Sequence, residues 1–294
     1  MRYFILFTAI FVICVSSFAQ QSQTDPATTG NIVDTMAATG TFNTFTKALQ
    51  AAGLDETLKK EGPFTVFIPT DEAFANLPEG TLDALMEKPD KLKTVLSYHI
   101  IPQRVNFSNF GEAKAFATMM GQTISIKADG IRFIVEGRDV LEKDLPASNG
   151  VFHVIDKVLM PKDIIDTAKA SEKFATLLSA LEKAELIETL KGDGPFTVFA
   201  PTDDAFKKVP QAKLHEILGN KEKLKQLLTY HVVPGKLMSA DIAKLKDMKS
   251  LNGQTLNVTR IEDKIIIVDA KVETPDVICA NGVIHVINAV MLPK

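Results

Sequence analysis

Residues 65–74, with the sequence TVFIPTDEAF, recur at residues 197–206 as TVFAPTDDAF. The β-branched and aromatic residues at the start of each copy favour a buried strand, and the proline ends it. Thr70 or Thr202 is then placed to cap a helix, and the acidic residues that follow suit the positive end of the helix dipole. The repeated decapeptide therefore predicts a strand that runs directly into a helix, once in each half of the chain.

The repeat extends over the rest of the chain with a constant spacing of 132 residues. Three further pairs of motifs show this spacing: Gly62-Pro63-Phe64 and Gly194-Pro195-Phe196, Tyr98-His99 and Tyr230-His231, and Asn149-Gly150 and Asn281-Gly282. No insertion or deletion separates the copies. Because a unit of roughly 130 residues can bury its own core, the sequence predicts two tandem copies of one domain, residues 31–162 and 163–294.

An apolar segment at the N-terminus predicts export. Arg2 precedes a nearly continuous apolar run at residues 4–15, and Ser17-Phe18-Ala19 offers the small residues of a signal peptidase site. The run is shorter than the about 20 residues that a membrane span needs, and no other segment is apolar enough to span a bilayer. We therefore predict a cleaved signal peptide at residues 1–19, a flexible lead-in at residues 20–30, and a secreted, extracellular or periplasmic protein.

Charge and cysteine content exclude some classes of protein. The formal net charge is −3 at pH 7 with both signs interspersed, which suits a soluble surface and offers no basic footprint for nucleic acid. Cleavage of the signal would remove Cys14 and leave Cys279 alone, so no intramolecular disulfide could form. A lone thiol can be reactive or pair between chains. The apolar residues around Cys279 favour a buried, inert thiol instead.

Within each unit, helical patterns come first and strand patterns come last. Phe42, Phe45 and Leu49 recur at helical spacing in the first unit. Three later segments alternate or run apolar with many β-branched residues, namely residues 123–127, 131–136 and 151–158. Turn-forming Asp-Gly and Asn-Gly pairs separate them, as antiparallel strands require. The second unit follows the same order.

Three landmarks of the chain carry a resemblance. The decapeptide, the Tyr-His pair and the closing segment Asn-Gly-Val-(Phe/Ile)-His-Val-Ile resemble the fasciclin domain, also called FAS1, and all occur in order in both halves. The resemblance covers residues from about 30 onward. It implies an α+β fold of two tandem FAS1-like domains, each a wedge-like antiparallel β-sandwich packed with several short α-helices. Because almost no linker separates the units at residues 160–162, we expect a fairly rigid pair.

The histidines are the first candidates for a site. Four of the five form two duplicate pairs: His99 with His231, and His153 with His285. Zinc needs three or four converging ligands, and no His-x-x-x-His or Cys-x-x-Cys spacing occurs. We therefore predict no metal and no cofactor. The favoured interpretation is that the Tyr-His pairs and the strand histidines build buried hydrogen-bond networks, and the alternatives are a metal site or a contact surface.

Two acidic positions invite an enzymatic interpretation. Asp71 and Asp203 each adjoin a second carboxylate, but neighbouring residues of a helix point about 100° apart and cannot form a facing acid–base pair. Capping of the first helical turn explains both aspartates better. No nucleophile elbow, phosphate-binding loop or dinucleotide fingerprint follows a strand. The sequence therefore predicts that the protein is not an enzyme.

Asp144 and Asp276 occupy equivalent positions before the Asn-Gly turns. In animal fasciclin-domain proteins, Asp-Ile motifs near this position and the Tyr-His region are associated with integrin binding. The resemblance therefore implies a set of candidate partner-binding residues: Tyr98, His99, Asp144, Tyr230, His231 and Asp276. The simpler interpretation of each aspartate is a turn former that bonds its own backbone.

Together these features predict a secreted, non-enzymatic adhesion or matrix-binding protein. Its partner would be a cell-surface protein, a polysaccharide or another copy of the chain, and two copies of one domain would raise avidity. The alternative is an envelope or periplasmic module that holds a small ligand or lipid in an apolar pocket between the helices and the sheet. Neither a nucleic-acid partner nor a transmembrane span is expected.

Overall fold

The structure is a computed structural model that describes residues 30–107, 113–129 and 131–293. The predicted signal peptide and all of the lead-in except Gly30 lie outside the described residues. Within the described part of the chain, no helix has both the length and the apolar character needed to cross a membrane.

The first half of the chain folds into one sheet and a set of short helices. The helices in its described residues are α1 (Ile32–Thr39), α2 (Asn43–Ala51), α3 (Asp55–Leu58), α4 (Asp71–Ala75), α5 (Thr81–Met86) and α6 (Pro89–Tyr98). The strands there are β1 (Phe64–Pro69), β2 (Ile100–Ile101), β3 (Lys114–Ala117), β4 (Thr123–Asp129), β5 (Arg132–Val135), β6 (Arg138–Ala147) and β7 (Gly150–Ile155).

The second half repeats this order. The helices in its described residues are α7 (Ile164–Lys169), α8 (Ala175–Lys183), α9 (Ile187–Lys191), α10 (Asp203–Lys207), α11 (Gln211–Leu218), α12 (Lys221–Tyr230) and α13 (Ser239–Ile242). The strands there are β8 (Phe196–Pro201), β9 (Val232–Pro234), β10 (Asp247–Lys249), β11 (Thr255–Ile261), β12 (Lys264–Ile267), β13 (Ala270–Cys279) and β14 (Gly282–Ile287). The predicted α+β fold of two tandem units is confirmed.

Each half holds one seven-stranded sheet, with the order β2-β1-β7-β6-β5-β4-β3 in the first and β10-β11-β12-β13-β14-β8-β9 in the second. Neighbouring strands are antiparallel except for β1 with β7 and β8 with β14, which are parallel. The sheets are therefore mixed. The parallel pair arises because β1 and β7 are far apart in sequence and are joined by a crossover that contains helices and the other strands, not by a hairpin.

The decapeptide folds as its residue types predict. Its first half forms β1, Thr70 caps α4 by accepting a hydrogen bond from the Ala73 N–H at 3.1 Å, and Phe74 is buried. Val66 and Ile68 point toward the helices, whereas Phe67 points into a second apolar cluster on the opposite face of the sheet. Since β1 is covered on both faces, it needs a continuous apolar run and not an alternating one.

The longest strands, β6 and β13, were not predicted. Residues 138–147 are rich in charged side chains and contain a proline, a composition that sequence patterns do not assign to a strand. The strand forms because β5 and β7 pair with it on both sides, and its register shifts between Val140 and Leu145. At this irregularity Asp144 has a φ of 56°, and Asp276 in β13 has a φ of 61°.

Candidate functional site

The Tyr-His pair ends α6 and anchors that helix to the sheet. His99 is fully buried, and its Nε2 accepts a hydrogen bond from the Leu159 N–H at 2.9 Å. Its Nδ1 therefore carries the ring proton and donates to the Val95 carbonyl at 2.9 Å. Burial lowers the pKa of His99 to about 4, although the hydrogen bond to Val95 opposes this change. The imidazole is neutral and both of its nitrogens are used.

The second copy of the pair has the same geometry. His231 contacts the Leu227 carbonyl at 2.8 Å through Nδ1 and accepts from the Met291 N–H at 3.0 Å through Nε2. Burial lowers the pKa of His231 to about 4. The hydroxyls of Tyr98 and Tyr230 donate to strand carbonyls at 3.4 Å, and both rings are buried. These four candidate partner-binding residues therefore bond within their own halves, and their contact with a partner stays a prediction.

The strand histidines hold the irregular part of β6 and β13 in place. His153, which is fully buried, accepts from the Asp144 N–H at 3.0 Å through Nδ1 and donates to the Val105 carbonyl at 3.1 Å through Nε2. Its ring stacks on Phe67 with 5.3 Å between centroids. Burial lowers the pKa of His153 to about 4. The predicted buried network is thus present in this part of the chain.

His285 repeats this arrangement in the second half. It accepts from the Asp276 N–H at 3.2 Å, contacts the Leu237 carbonyl at 2.9 Å, and stacks on Phe199 at 5.5 Å. Burial lowers the pKa of His285, while the Leu237 carbonyl and the Asp276 carboxylate act in the opposite direction. A neutral histidine on a strand therefore supports the backbone of the facing aspartate in both halves.

The sequence position of Asp144 and Asp276 suggested that they close the Asn-Gly turns, but they do not. The Asp144 carboxylate accepts from the Phe107 N–H at 2.8 Å, and the Asp276 carboxylate accepts from the Ser239 N–H at 2.7 Å. Each aspartate is half-buried and ties the segment after β2 or β9 to the sheet. Their side chains serve long-range contacts that a turn former would not make, and a role in partner binding stays a prediction for both.

Asp71 and Asp203 cap a helix other than their own. Both lie in the first turn of α4 or α10, as predicted, but the Asp71 carboxylate accepts from the Thr44 and Asn43 N–H groups at 2.8 and 3.3 Å, at the start of α2. Asp203 makes the same contacts at the start of α8. Burial alone would raise the pKa of Asp71, but the hydrogen bonds from Thr44 and Asn43 outweigh it and lower the pKa.

Asn149 and Asn281 have a structural role that sequence analysis did not assign to them. The Asn149 side chain accepts from the Ile32 N–H at 3.0 Å and donates to the Leu58 and Lys60 carbonyls at 2.6 and 2.8 Å. Asn281 repeats these three bonds. The Asn-Gly pair occurs in both halves, and this duplication was the available signal. A turn alone would not require asparagine at the same position in both copies.

Two further predictions concern metals and the lone thiol. Among the described residues, no group of three or more His, Cys, Asp or Glu side chains converges as metal ligands would. Cys279 is buried with 2 % of its surface exposed, as its apolar neighbours predicted, and burial raises the pKa of its thiol to about 11. The residues singled out in the sequence therefore form structural networks within each half of the chain.

Comparison with known proteins gives a consistent result. The family model described as the fasciclin domain matches residues 40–161 and residues 172–293. Transforming growth factor-beta-induced protein ig-h3 of Sus scrofa is 32% identical over 271 residues, which cover 90% of this chain and 39% of that protein. Periostin of Homo sapiens is 26% identical over 254 residues, which cover 85% of this chain and 30% of that protein.

A bacterial relative and a solved structure complete the comparison. Protein sll1483 of Synechocystis sp. is 44% identical over 148 residues, which cover 50% of this chain and 81% of that protein. A solved FAS1 domain pair from the insect cell adhesion molecule fasciclin I is 20% identical with a TM-score of 0.47, and the match covers 87% of this chain and 98% of that one. The chain spans about two fifths of the length of the curated ig-h3 relatives that it matches.

Proposed function

The chain belongs to the fasciclin domain family, and on this premise we propose that it is a secreted, non-enzymatic adhesion protein that binds a cell surface or an extracellular matrix. The observation that carries the proposal is the match of the fasciclin model to both halves of the chain. The apolar N-terminal segment with its signal peptidase pattern supports secretion.

The chemistry of the histidines supports a non-enzymatic role. A general base must reach a substrate proton, directly or through one water. His99 and His231 use both ring nitrogens for backbone contacts, and so do His153 and His285. A substrate could reach these nitrogens only by breaking bonds that hold the sheet to the rest of its half.

The proposed partner is a cell-surface protein, a polysaccharide or a second copy of the chain. Because each half carries the same fold, two weak contacts on one surface would act as one stronger attachment. The alternative of a lipid or small ligand between helices and sheet gains no support from the first half. There Phe45, Leu49 and Leu96 are completely or almost completely buried and pack with β1 side chains in one apolar cluster.

Binding of the purified mature protein to intact cells and to a panel of extracellular polysaccharides tests the proposal. Each half is measured separately, after its thermal unfolding shows that it is folded. We expect the tandem protein to bind far more tightly than either half. Absence of binding to every surface and polymer, at all concentrations tested, would show that the proposal is wrong. Co-purification of a lipid or metabolite in that case would favour the pocket alternative.

A further inference from the structure

A cleft with a volume of about 470 Å³ lies between the two halves of the chain. Helix α6 of the first half forms one wall. The opposite wall consists of the loop before β8, the segment after β9 and the turn between β13 and β14. This volume lies within the roughly 300–1,000 Å³ range of binding sites for small molecules. The cleft is therefore large enough to hold part of a ligand between the halves.

Contacts across the junction fix the two walls relative to each other. Asp193 of the second half bonds to Lys88 at 2.6 Å and also forms an ion pair with Lys91, both from the first half. Gln122 donates through Nε2 to the Ile278 and Lys162 carbonyls, each at 3.1 Å, and accepts from the Lys162 N–H at 3.0 Å. These contacts connect the two walls directly, and a cleft with connected walls loses less entropy on binding than one between independent halves.

The two walls place positive charge on both sides of the cleft. Lys93 on α6 and Lys236 after β9 line it, and neither forms an ion pair with any described residue. Asp193 is already shared between two lysines, whose hydrogen bonds lower the pKa of its carboxyl to about 2. Asp90 is the other acidic residue in the lining. A chain with a net charge of −3 therefore concentrates unpaired ammonium groups in one concave site.

The lining also limits the chemistry of the ligand. It includes hydroxyl groups of Thr94 and Ser97, and no aromatic side chain of the described residues contributes to it. Recognition of single-stranded nucleic acid relies on base stacking on aromatic rings, which this site does not supply. Ammonium and hydroxyl groups suit a hydrophilic ligand that carries several negative charges and many hydroxyl groups.

We propose that the cleft between the halves binds an acidic polysaccharide, with Lys93 and Lys236 contacting its anionic groups from opposite walls. The proposal rests on the adhesion function proposed above and narrows its partner to one class of polymer. The anionic group is a carboxylate or a sulfate, since either accepts hydrogen bonds from a lysine ammonium.

The repeat provides a matched control for the test. Lys225 on α12 occupies the position equivalent to Lys93, and Arg104 occupies the position equivalent to Lys236, yet neither lines this cleft. The test variant is Lys93→Glu with Lys236→Glu, and the control variant is Lys225→Glu with Arg104→Glu. Both variants change the net charge by the same amount, so any difference between them reports the location of the charges and not their sum.

Binding of the full mature chain is measured by calorimetry with polygalacturonate, dextran sulfate, neutral dextran and polyglutamate. We expect wild-type protein to bind one or both of the first two polymers and not neutral dextran. The test variant should bind roughly tenfold more weakly or worse, because two attractions become repulsions. The control variant should bind within about twofold of wild type, and raised salt should weaken wild-type binding because the lysines are exposed.

The two charged polysaccharides separate the sources of the anion. Binding of polygalacturonate alone assigns carboxylates, and binding of dextran sulfate alone assigns sulfates. Failure of wild-type protein to bind either polymer would overturn the proposal, and so would equal weakening in the two variants. Polyglutamate binding with the same dependence on Lys93 and Lys236 would also overturn it in favour of an acidic peptide. If the protein still attaches to intact cells in any of these cases, the proposed adhesion function is retained. If it does not attach to cells, the adhesion function is contradicted independently of the cleft proposal.

Discussion

At the scale of single residues, the molecule depends on neutral imidazoles in places that water does not reach. His99 and His153 sit in one half, and His231 and His285 occupy the same positions in the other. Each connects two backbone groups that are distant in sequence, so protonation would cost both desolvation and a hydrogen bond. The sequence predicted this role because each histidine occurs twice in the same local context.

Acidification should destabilise the protein between pH 6.5 and about 4. Burial holds the pKa of His99, His153 and His231 at about 4, below the value of 6.5 expected for an unfolded chain. Between these values the unfolded chain binds more protons, so stability is lost as the pH falls, on the order of 2–3 kcal/mol for each histidine by pH 4.5. Urea unfolding at pH 7.5 and 4.5 measures this loss.

One outcome would contradict that prediction. Equal stability of the wild-type protein at pH 7.5 and 4.5 would mean that the buried imidazoles accept protons without cost, contrary to their geometry.

Removal of a strand histidine should destabilise its own half. His153→Ala leaves the Asp144 N–H and the Val105 carbonyl without their partner, at a cost of about 1–3 kcal/mol, and His285→Ala should do the same in the second half. Chemical unfolding of each half of the chain measures the cost. Unchanged unfolding together with lost surface binding would instead place these histidines in a binding site.

The thiol of Cys279 should be inert in the folded protein. Burial leaves 2 % of the residue exposed and raises its pKa to about 11, so both access and thiolate formation are suppressed at neutral pH. A colorimetric thiol assay at pH 8 should show slow labelling of the native mature protein and rapid labelling in guanidinium chloride. Rapid labelling of the native protein would show that the C-terminal end of β13, where Cys279 lies, opens readily.

At the scale of helices and strands, the halves are held by contacts between elements that are distant in sequence. Phe42 stands at the N-cap position of α2 and offers no side-chain acceptor, and Asp71 at the start of α4 supplies the acceptor instead. One carboxylate therefore stabilises the N-terminal ends of two helices, which fixes their relative position.

Asp71→Ala should cost about 1 kcal/mol of stability in the first half, because the Asn43 and Thr44 N–H groups lose their acceptor. Glu72→Ala is the matched control, since Glu72 is an exposed carboxylate in the same helical turn. It should change stability by at most about 0.5 kcal/mol. Urea unfolding measures both variants, and equal effects would mean that Asp71 acts only through the dipole of α4.

Local sequence predicted the elements whose residues decide their own conformation, and it missed those that depend on partners. The decapeptide carries its strand, proline and cap within ten residues, and it was predicted correctly. Strand β6 has a polar sequence and exists only because β5 and β7 flank it. The capping of α2 by Asp71 could not be predicted either, because Asp71 lies 28 residues away from Asn43 and no periodic pattern connects them.

At the scale of the whole molecule, the two halves meet at a junction of specific bonds. Gln122 of the first half bonds to Lys162 at the end of that half and to Ile278 of the second half. A Cβ at Gly121 beside it would lie 2.5 Å from the Ile278 Cδ1, so a side chain there would force the Ile278 side chain to move. The short linker alone predicts a rigid pair. These contacts could not be predicted, because an internal repeat indicates the fold of each unit but carries no information about the surface between the units.

Gln122→Ala should loosen the junction, because it removes three hydrogen bonds between Gln122 and the carbonyl and N–H groups around the linker. Small-angle scattering of the mature wild-type protein should show a narrow distribution of distances between the halves, and the variant should broaden it. Gln254→Ala, at the equivalent position of the second half, should leave the distribution narrow. A broad distribution in wild-type protein would contradict the expected rigidity.

The junction has a geometric consequence. Lys162 closes the first unit and its carbonyl accepts the Ala280 N–H of the second, so successive units are related by one fixed rotation and translation. Gly253, the counterpart of Gly121, has no described atom within 4 Å of the place where a Cβ would stand. Applying the same operation again would seat a third unit against that open face. The pair therefore defines one repeatable step, and every unit of an engineered array of such repeats would be placed on its predecessor by the same rotation and translation.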